Sequence, residues 1–480
     1  MNPTPFLLAA AAAGAFSAAD LPGTWSGFAV HDGDSTLIAL ELEPAAEGRT
    51  RMKATIPAIG IDRVTFGDVR AVVRGDSVML GPFRFVRDAG DGSLHGVVPA
   101  DLLPVYTVPL TLRRVAAPPP VPRPELDVSE PATAWTFRGE APCWAGATYA
   151  HGLVYAGDDG GTLHALDVKS GRERWTFRAG AAIRSRALVV GNDLFLSADD
   201  GLVRRLDARS GKLRWEARVE STVVRHPLDD PRTIWDRFGA DPVLGGRLLY
   251  VGTHDGRLVA LDPVDGKRRW QFESGGAVLA APLVAGGRAC FGSFDGHVYA
   301  VDAATGALAW KFDTKAPVVS TPALAGDRVI VGTRGYDLFA LDARRGTPLW
   351  KRYFWFSWVE SSVAVVDGMA YVGSSDASAV YAVDARDGRV AWKAPVRGWA
   401  WGPPTVAGDR IYIGTVGAAS TDGRQVGAAN VIDRRNGRLV ARLPAPPKED
   451  GQFGFAGGAA LGEDLVFFPG LDGTIVALPR

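Results

Sequence analysis

The strongest constraint on this chain is a phrase that returns about every 40 residues. It is clearest at Asp295–Phe312, DGHVYAVDAATGALAWKF. An Asp-Gly turn opens into a strand that alternates Val298 and Ala300 with Tyr299 and Val301. Asp302 ends that strand, Thr305 and Gly306 turn the chain back, and Trp310 sits on the return. Alternation at period two between turn residues reads as a β-hairpin carrying one large anchor. The phrase recurs at Gly160–Phe177, Asp200–Trp215, Asp255–Phe272, Leu338–Trp350 and Val380–Trp392. Its tryptophans, Trp135, Trp175, Trp215, Trp270, Trp310, Trp350 and Trp392, are 40, 40, 55, 40, 40 and 42 residues apart. A fixed period of that length, filled by four short strands, is one propeller blade.

The turn-plus-strand half of the phrase occurs eight times, the last at Asp472–Leu478. That copy stops at Arg480, before any returning strand. At the other end, Ala134–Phe137 (AWTF) is a returning strand with no phrase ahead of it. Pairing the two would complete an eighth blade and leave the ring without an open edge. Blade seven has Ala441 where the others have Trp, so its junction is expected to be less tightly anchored. Blade three is longer by the residues near Ser221–Phe238, expected to form a surface loop. His226 and Asp229 within it read as an exposed ion pair.

The period is absent from Leu21–Val115, where alternating segments such as TLIALELE and VYTVPLTLRR are separated by clusters such as HDGDS. This predicts a small antiparallel β-domain, barrel or sandwich. Its Gly23-x-Trp25-x-Gly27 opening resembles lipocalin-like modules. His31 and His95 read as surface residues, since no metal-ligand spacing accompanies them. Residues 1–19 resemble a secretory signal, with an apolar run at Phe6–Phe16 and small residues before Asp20. The expected layout is a leader at 1–19, a β-domain at 20–115, a proline-rich linker at 116–131 and the propeller at 132–480. With 53 basic and 53 acidic residues, nothing favours nucleic acid or an anionic membrane as partner. No apolar run is long enough to span a bilayer. The two cysteines, Cys143 and Cys290, fall in different blades and read as small buried hydrophobes rather than a disulfide. No cysteine lies near the leader to take a lipid.

The pattern A-[LV]-D-x-x-[TSD]-G-x-x-x-W resembles the tryptophan-docking motif of the PQQ-like propellers, over Ala134 to Arg480. That family includes the quinoprotein alcohol dehydrogenases and the BamB-like assembly proteins. The resemblance implies an all-β, eight-bladed PQQ-like propeller in which the seven tryptophans are structural docking residues. Truncating one of them to Ala is expected to cost about 3–5 kcal/mol.

In such a ring the first strand of each blade is expected to line the central channel. Aligning those strands gives one column: Trp144, Arg184, Gly239, Leu279, Val319, Glu360, Trp401 and Ala456. Two positions earlier lie Pro142, Ala182, Arg237, Ala277, Pro317, Trp358, Trp399 and Gly454. The large or charged members gather in blades six, seven, one and two. Trp144, Arg184, Trp358, Glu360, Trp399 and Trp401 are therefore the candidate ligand-binding residues at the channel mouth. The opposing expectation is that the aromatics plug the channel and that Arg184 and Glu360 pair with each other. The stretch Tyr353–Ser362, YFWFSWVESS, is expected either to pack on an inserted segment or to form a contact surface.

The PQQ dehydrogenases carry a catalytic Asp, a Ca²⁺ site of Glu and Asn side chains, and a disulfide between adjacent cysteines. This chain has no Cys-Cys pair, and no Asn in either column. The expectation is an exported, non-catalytic protein- or ligand-binding scaffold of the periplasm or another exported compartment, BamB-like and monomeric. Its partner would be an envelope protein or peptide, with no cofactor, metal or catalytic residue. The alternatives are a PQQ-dependent oxidoreductase using PQQ with Ca²⁺, and a carbohydrate- or peptide-binding propeller.

Overall fold

What makes the phrase a hairpin is visible at its aspartate. In the computed structural model, Asp302 Oδ1 accepts the backbone N–H groups of Ala304 (3.1 Å) and Thr305 (2.9 Å). The Asp302 carbonyl accepts from Gly306 N–H at 2.8 Å, and Gly306 takes a φ of +76°. The side chain thus replaces water at the turn, which is why Asp ends the strand. The structure describes residues 16–99, 106–121, 126, 128–220, 238–419, 425–449 and 451–480. Loop residues His226, Asp229 and Arg237, and residues 1–15 of the expected leader, lie outside them.

Two units divide the chain, Met1–Arg123 and Pro124–Arg480. In the first, nine antiparallel strands form a nearly closed barrel. Gly23–His31 pairs with both Asp34–Pro44 and Pro109–Val115, and the one break falls between Ile61–Val69 and Ala71–Arg74. Trp25, Leu40, Met52, Leu80, Phe85 and Leu112 fill its interior. Trp25 donates its indole N–H to the Leu21 carbonyl at 2.9 Å, and the Arg114 guanidinium covers its ring at 4.9 Å. Gly27 is dictated by the neighbouring strand: a Cβ there would stand 1.7 Å from the Thr111 carbonyl oxygen. Among the described residues no helix is long and apolar enough to cross a membrane.

The second unit is a ring of eight antiparallel sheets. Blade four shows the pattern, with Leu283–Ala285, Arg288–Gly292, His297–Asp302 and Leu308–Asp313 paired in that order. Blade eight is assembled from both ends of the repeat region. Trp135–Arg138 pairs with Thr474–Pro479, Trp135 opposite Ala477 and Phe137 opposite Ile475.

Each tryptophan of the phrase reaches into the following blade. Its ring lies on the turn glycine there: a Cβ on Gly306 would meet Trp270 at 2.6 Å, and one on Gly346 would meet Trp310 at 2.5 Å. Its N–H donates to a carbonyl just past the next blade's third strand. Trp135 reaches Val168 (2.9 Å), Trp215 Pro263 (3.1 Å), Trp270 Ala303 (3.1 Å), Trp310 Ala343 (3.2 Å), Trp350 Ala385 (3.0 Å) and Trp392 Arg434 (3.1 Å). One indole both buries area and has its N–H satisfied, which suits it to a blade junction. Trp175 is the exception. It sits on Gly211, but its N–H has no acceptor; the Ala208 carbonyl at the equivalent place takes the Tyr155 hydroxyl at 2.8 Å.

Ala441 of blade seven has a physical reason. The closing strand of blade eight comes from residues 135–138, so blade eight has no turn between its last two strands. There is no turn glycine for a tryptophan to rest on. The junction is packed instead by Tyr412, Val431, Phe455, Phe468 and Leu478. Cys143 and Cys290 are both free and buried, and burial pushes the Cys290 thiol up to about 12.

Candidate functional site

All eight members of the first column line one cavity of about 90 Å³ at the centre of the ring. They do not lie on the first strands, as expected, but on the segments that lead into them. Trp144 precedes Thr148–Ala150, and Leu279 precedes Leu283–Ala285. Each segment is tied across the blade junction by its backbone. The N–H groups of Ile183, Val278, Val318 and Val359 donate to the carbonyls of Asp158, Thr253, Ser293 and Thr333 in the blade before, at 2.9–3.1 Å. Ladder pairing starts only after this crossing.

The second column belongs to a different layer. Its carbonyls hold the turn of their own blade: Pro142 accepts from Asp159 N–H (2.9 Å), Pro317 from Arg334 (3.0 Å) and Trp358 from Ser375 (3.1 Å). Trp358 and Trp399 consequently do not line the cavity. Trp358 lies under the Arg334 guanidinium at 5.0 Å. Trp399 stacks on Trp401, ring centres 5.1 Å apart and planes within 9°. Of the six candidates, the cavity gathers Trp144, Arg184, Glu360 and Trp401.

Arg184 and Glu360 do not pair with each other. Arg184 forks onto two turn carboxylates, through Nε to Asp159 Oδ1 at 2.9 Å and through a terminal nitrogen to Asp199 Oδ2 at 2.8 Å. Glu360 is held by Arg334, which comes from the turn of blade five. Both of these charges are therefore matched by turn residues. The Asp-Asp-Gly turns at 158–160 and 199–201 thus supply the aspartates that anchor Arg184 in the channel. Burial pushes Asp199 up to about 6, against the pull of Arg184. Asp158 reaches His164 Nε2 at 3.2 Å, and Glu173 reaches its Nδ1 at 2.7 Å.

Two charged cavity residues were missed by the column alignment, Arg186 and Asp241. They sit two positions after Arg184 and Gly239. Stepping the period-two alignment forward as well as backward would have reached them. The aromatic stretch is core, not surface: Tyr353, Phe354, Trp355 and Phe356 are all buried, with Phe354 edge-on to Tyr381 at 4.8 Å. In the barrel, Asp88, Asp91 and His95 bring ligand atoms within 4.8 Å of one another. They are exposed, and Asp91 is already engaged by Ser93 and Arg113.

A ring of eight sheets wedged by tryptophan on glycine, around a narrow lined centre, defines a PQQ-like eight-bladed β-propeller. The chain belongs to the PQQ-repeat family described as outer membrane protein assembly factor BamB, whose model matches residues 126–228, 220–354 and 340–480. Among solved structures, BamB from Moraxella catarrhalis aligns with a TM-score of 0.56 and 18% identity, over 73% of this chain and 97% of that one. The computationally designed Ika8 protein aligns at 0.60 and 14%, over 72% and 99%. The quinohemoprotein alcohol dehydrogenase ADHIIG from Pseudomonas putida HK5 aligns at 0.57 and 13%, over 73% and 76%. These likenesses are of fold. No curated protein matches the chain in sequence.

Proposed function

We propose that the protein is a non-catalytic scaffold of the cell envelope, exported to the periplasm, which binds an envelope protein or peptide as BamB-like propellers do. The observation that carries this reading is the internal matching of two channel charges, Arg184 with Asp159 and Asp199 and Glu360 with Arg334. Such pairing makes the centre of the ring a rigid support rather than a site poised for proton or hydride transfer. The same residues fit a calcium-bound quinone poorly. Ca²⁺ takes six to eight oxygen ligands, yet the Glu360 carboxylate is already committed to Arg334. The stacking face that Trp401 would offer a planar quinone is covered on one side by Trp399.

The test has two arms. Incubation with PQQ and Ca²⁺ is expected to leave the melting temperature and the absorbance spectrum unchanged, with no dye-linked oxidation of alcohols or sugars. Crosslinking in native envelopes is expected to join the propeller to a defined outer-membrane or periplasmic protein. Dye-linked oxidation above the cofactor-free control would overturn the scaffold reading in favour of an oxidoreductase.

A further inference from the structure

The cavity contains two opposite charges that are kept apart. Arg186 gives its Nε to the Ala147 carbonyl at 2.7 Å and a terminal nitrogen to the Ala459 carbonyl at 2.9 Å, in blades one and eight. Asp241 accepts the Arg186 backbone N–H at 2.6 Å through Oδ1. The two side chains form no ion pair with each other, although both line the same space. Burial raises the carboxyl of Asp241 and lowers the guanidinium of Arg186 from their ordinary values, and each only partly relieves the other.

The capping of a backbone N–H does not explain the carboxylate. Three blades on, the equivalent bond from Thr321 N–H is met by the Ser362 hydroxyl at 3.1 Å. A hydroxyl is enough there, so Asp241 carries a charge and a second oxygen that the cap does not use. Charges held out of water are costly unless a partner meets them. Thr321 and Ser362 line the same cavity from blades five and six, and the remaining wall combines the already paired Arg184 and Glu360 with the apolar Trp144, Phe238, Leu279 and Val319.

We propose that this cavity binds a free α-amino acid with an apolar side chain. The ammonium group sits on Asp241. The carboxylate takes the guanidinium hydrogens of Arg186 that the two carbonyls leave over. The side chain lies against Trp144, Phe238, Leu279 and Val319. The cavity of about 90 Å³ has room for several water-sized groups, each of which needs about 10–15 Å³. A neutral sugar of similar size would hydrogen-bond to both charges but neutralise neither.

Titration calorimetry on the full chain tests this with L-leucine, 3-methylbutylamine (leucine without its carboxylate), 4-methylpentanoate (leucine without its amine) and D-glucose. L-leucine is expected to bind, and each half-molecule to bind at least tenfold more weakly. Asp241→Ser, which keeps the cap as Ser362 does, is expected to lose at least tenfold in leucine affinity without a change in melting. Leu279→Trp, which fills the cavity without touching a charge, serves if that variant does not fold. Binding of glucose without leucine, equal binding of leucine and 3-methylbutylamine, or no heat from millimolar leucine would each overturn the proposal. So would unchanged leucine affinity in a folded Asp241→Ser or Leu279→Trp protein. Partner crosslinking is read out separately, so this site and the scaffold reading stand or fall apart from each other.

Discussion

At the scale of single residues, the glycines of this ring are not equivalent. Gly346 and Gly326 both have positive φ, +71° and +63°. A Cβ at Gly326 meets nothing within 4 Å, whereas one at Gly346 strikes the Trp310 ring at 2.5 Å. Gly326→Ala is expected to cost only the left-handed backbone strain, about 1–2 kcal/mol. Gly346→Ala adds overpacking of about 1–3 kcal/mol, and denaturant melts of the two variants compare them directly. His164 makes a second test. Burial opposes its charge, but the hydrogen bonds it donates to Asp158 and Glu173 outweigh that and raise its pKa. A raised folded-state pKa contributes stability that is fully present below the ordinary histidine value of about 6.5 and fades as pH rises through the folded one. His164→Gln is therefore expected to lower the melting temperature more at pH 6 than at pH 9.

At the scale of the element, a blade junction is a two-part device. A tryptophan on one outer strand needs a turn glycine and a free carbonyl in the next blade. Blade seven lacks the first part because blade eight lacks the second. Restoring the consensus with Ala441→Trp is expected to destabilise by about 1–3 kcal/mol rather than stabilise, since Val431, Phe468 and Leu478 already fill the junction. A rise in melting temperature for that variant would show that the junction has spare volume. Trp175 shows that the two parts separate: its ring is seated on Gly211 while its N–H makes no hydrogen bond.

At the scale of the molecule, the ring holds because residues about 340 apart share a sheet, Thr136 standing opposite Val476. Crosslinking them as Thr136→Cys with Val476→Cys closes a very long loop, for which chain entropy allows up to about 5 kcal/mol. The oxidised protein is expected to melt higher than the reduced one, with the gain abolished by reductant. No gain on confirmed oxidation would mean that opening of this closure does not limit unfolding.

The repeat itself was fully legible, because it is written locally. Period-two alternation, an Asp that caps its own turn, a glycine at positive φ and one tryptophan per blade are all short-range signals. Counting them yields eight blades and predicts that the strand at Ala134–Phe137 completes the blade that holds Ile475. The first channel column was legible for the same reason, since every blade places its equivalent residue at the same height. The charge partners were not. How Arg184 reaches Asp159, how Glu360 reaches Arg334, and how Arg186 spans to Ala147 and Ala459 all depend on contacts between blades. Those contacts arise only when the ring closes and sets neighbouring turns side by side, and no spacing along the chain records that distance.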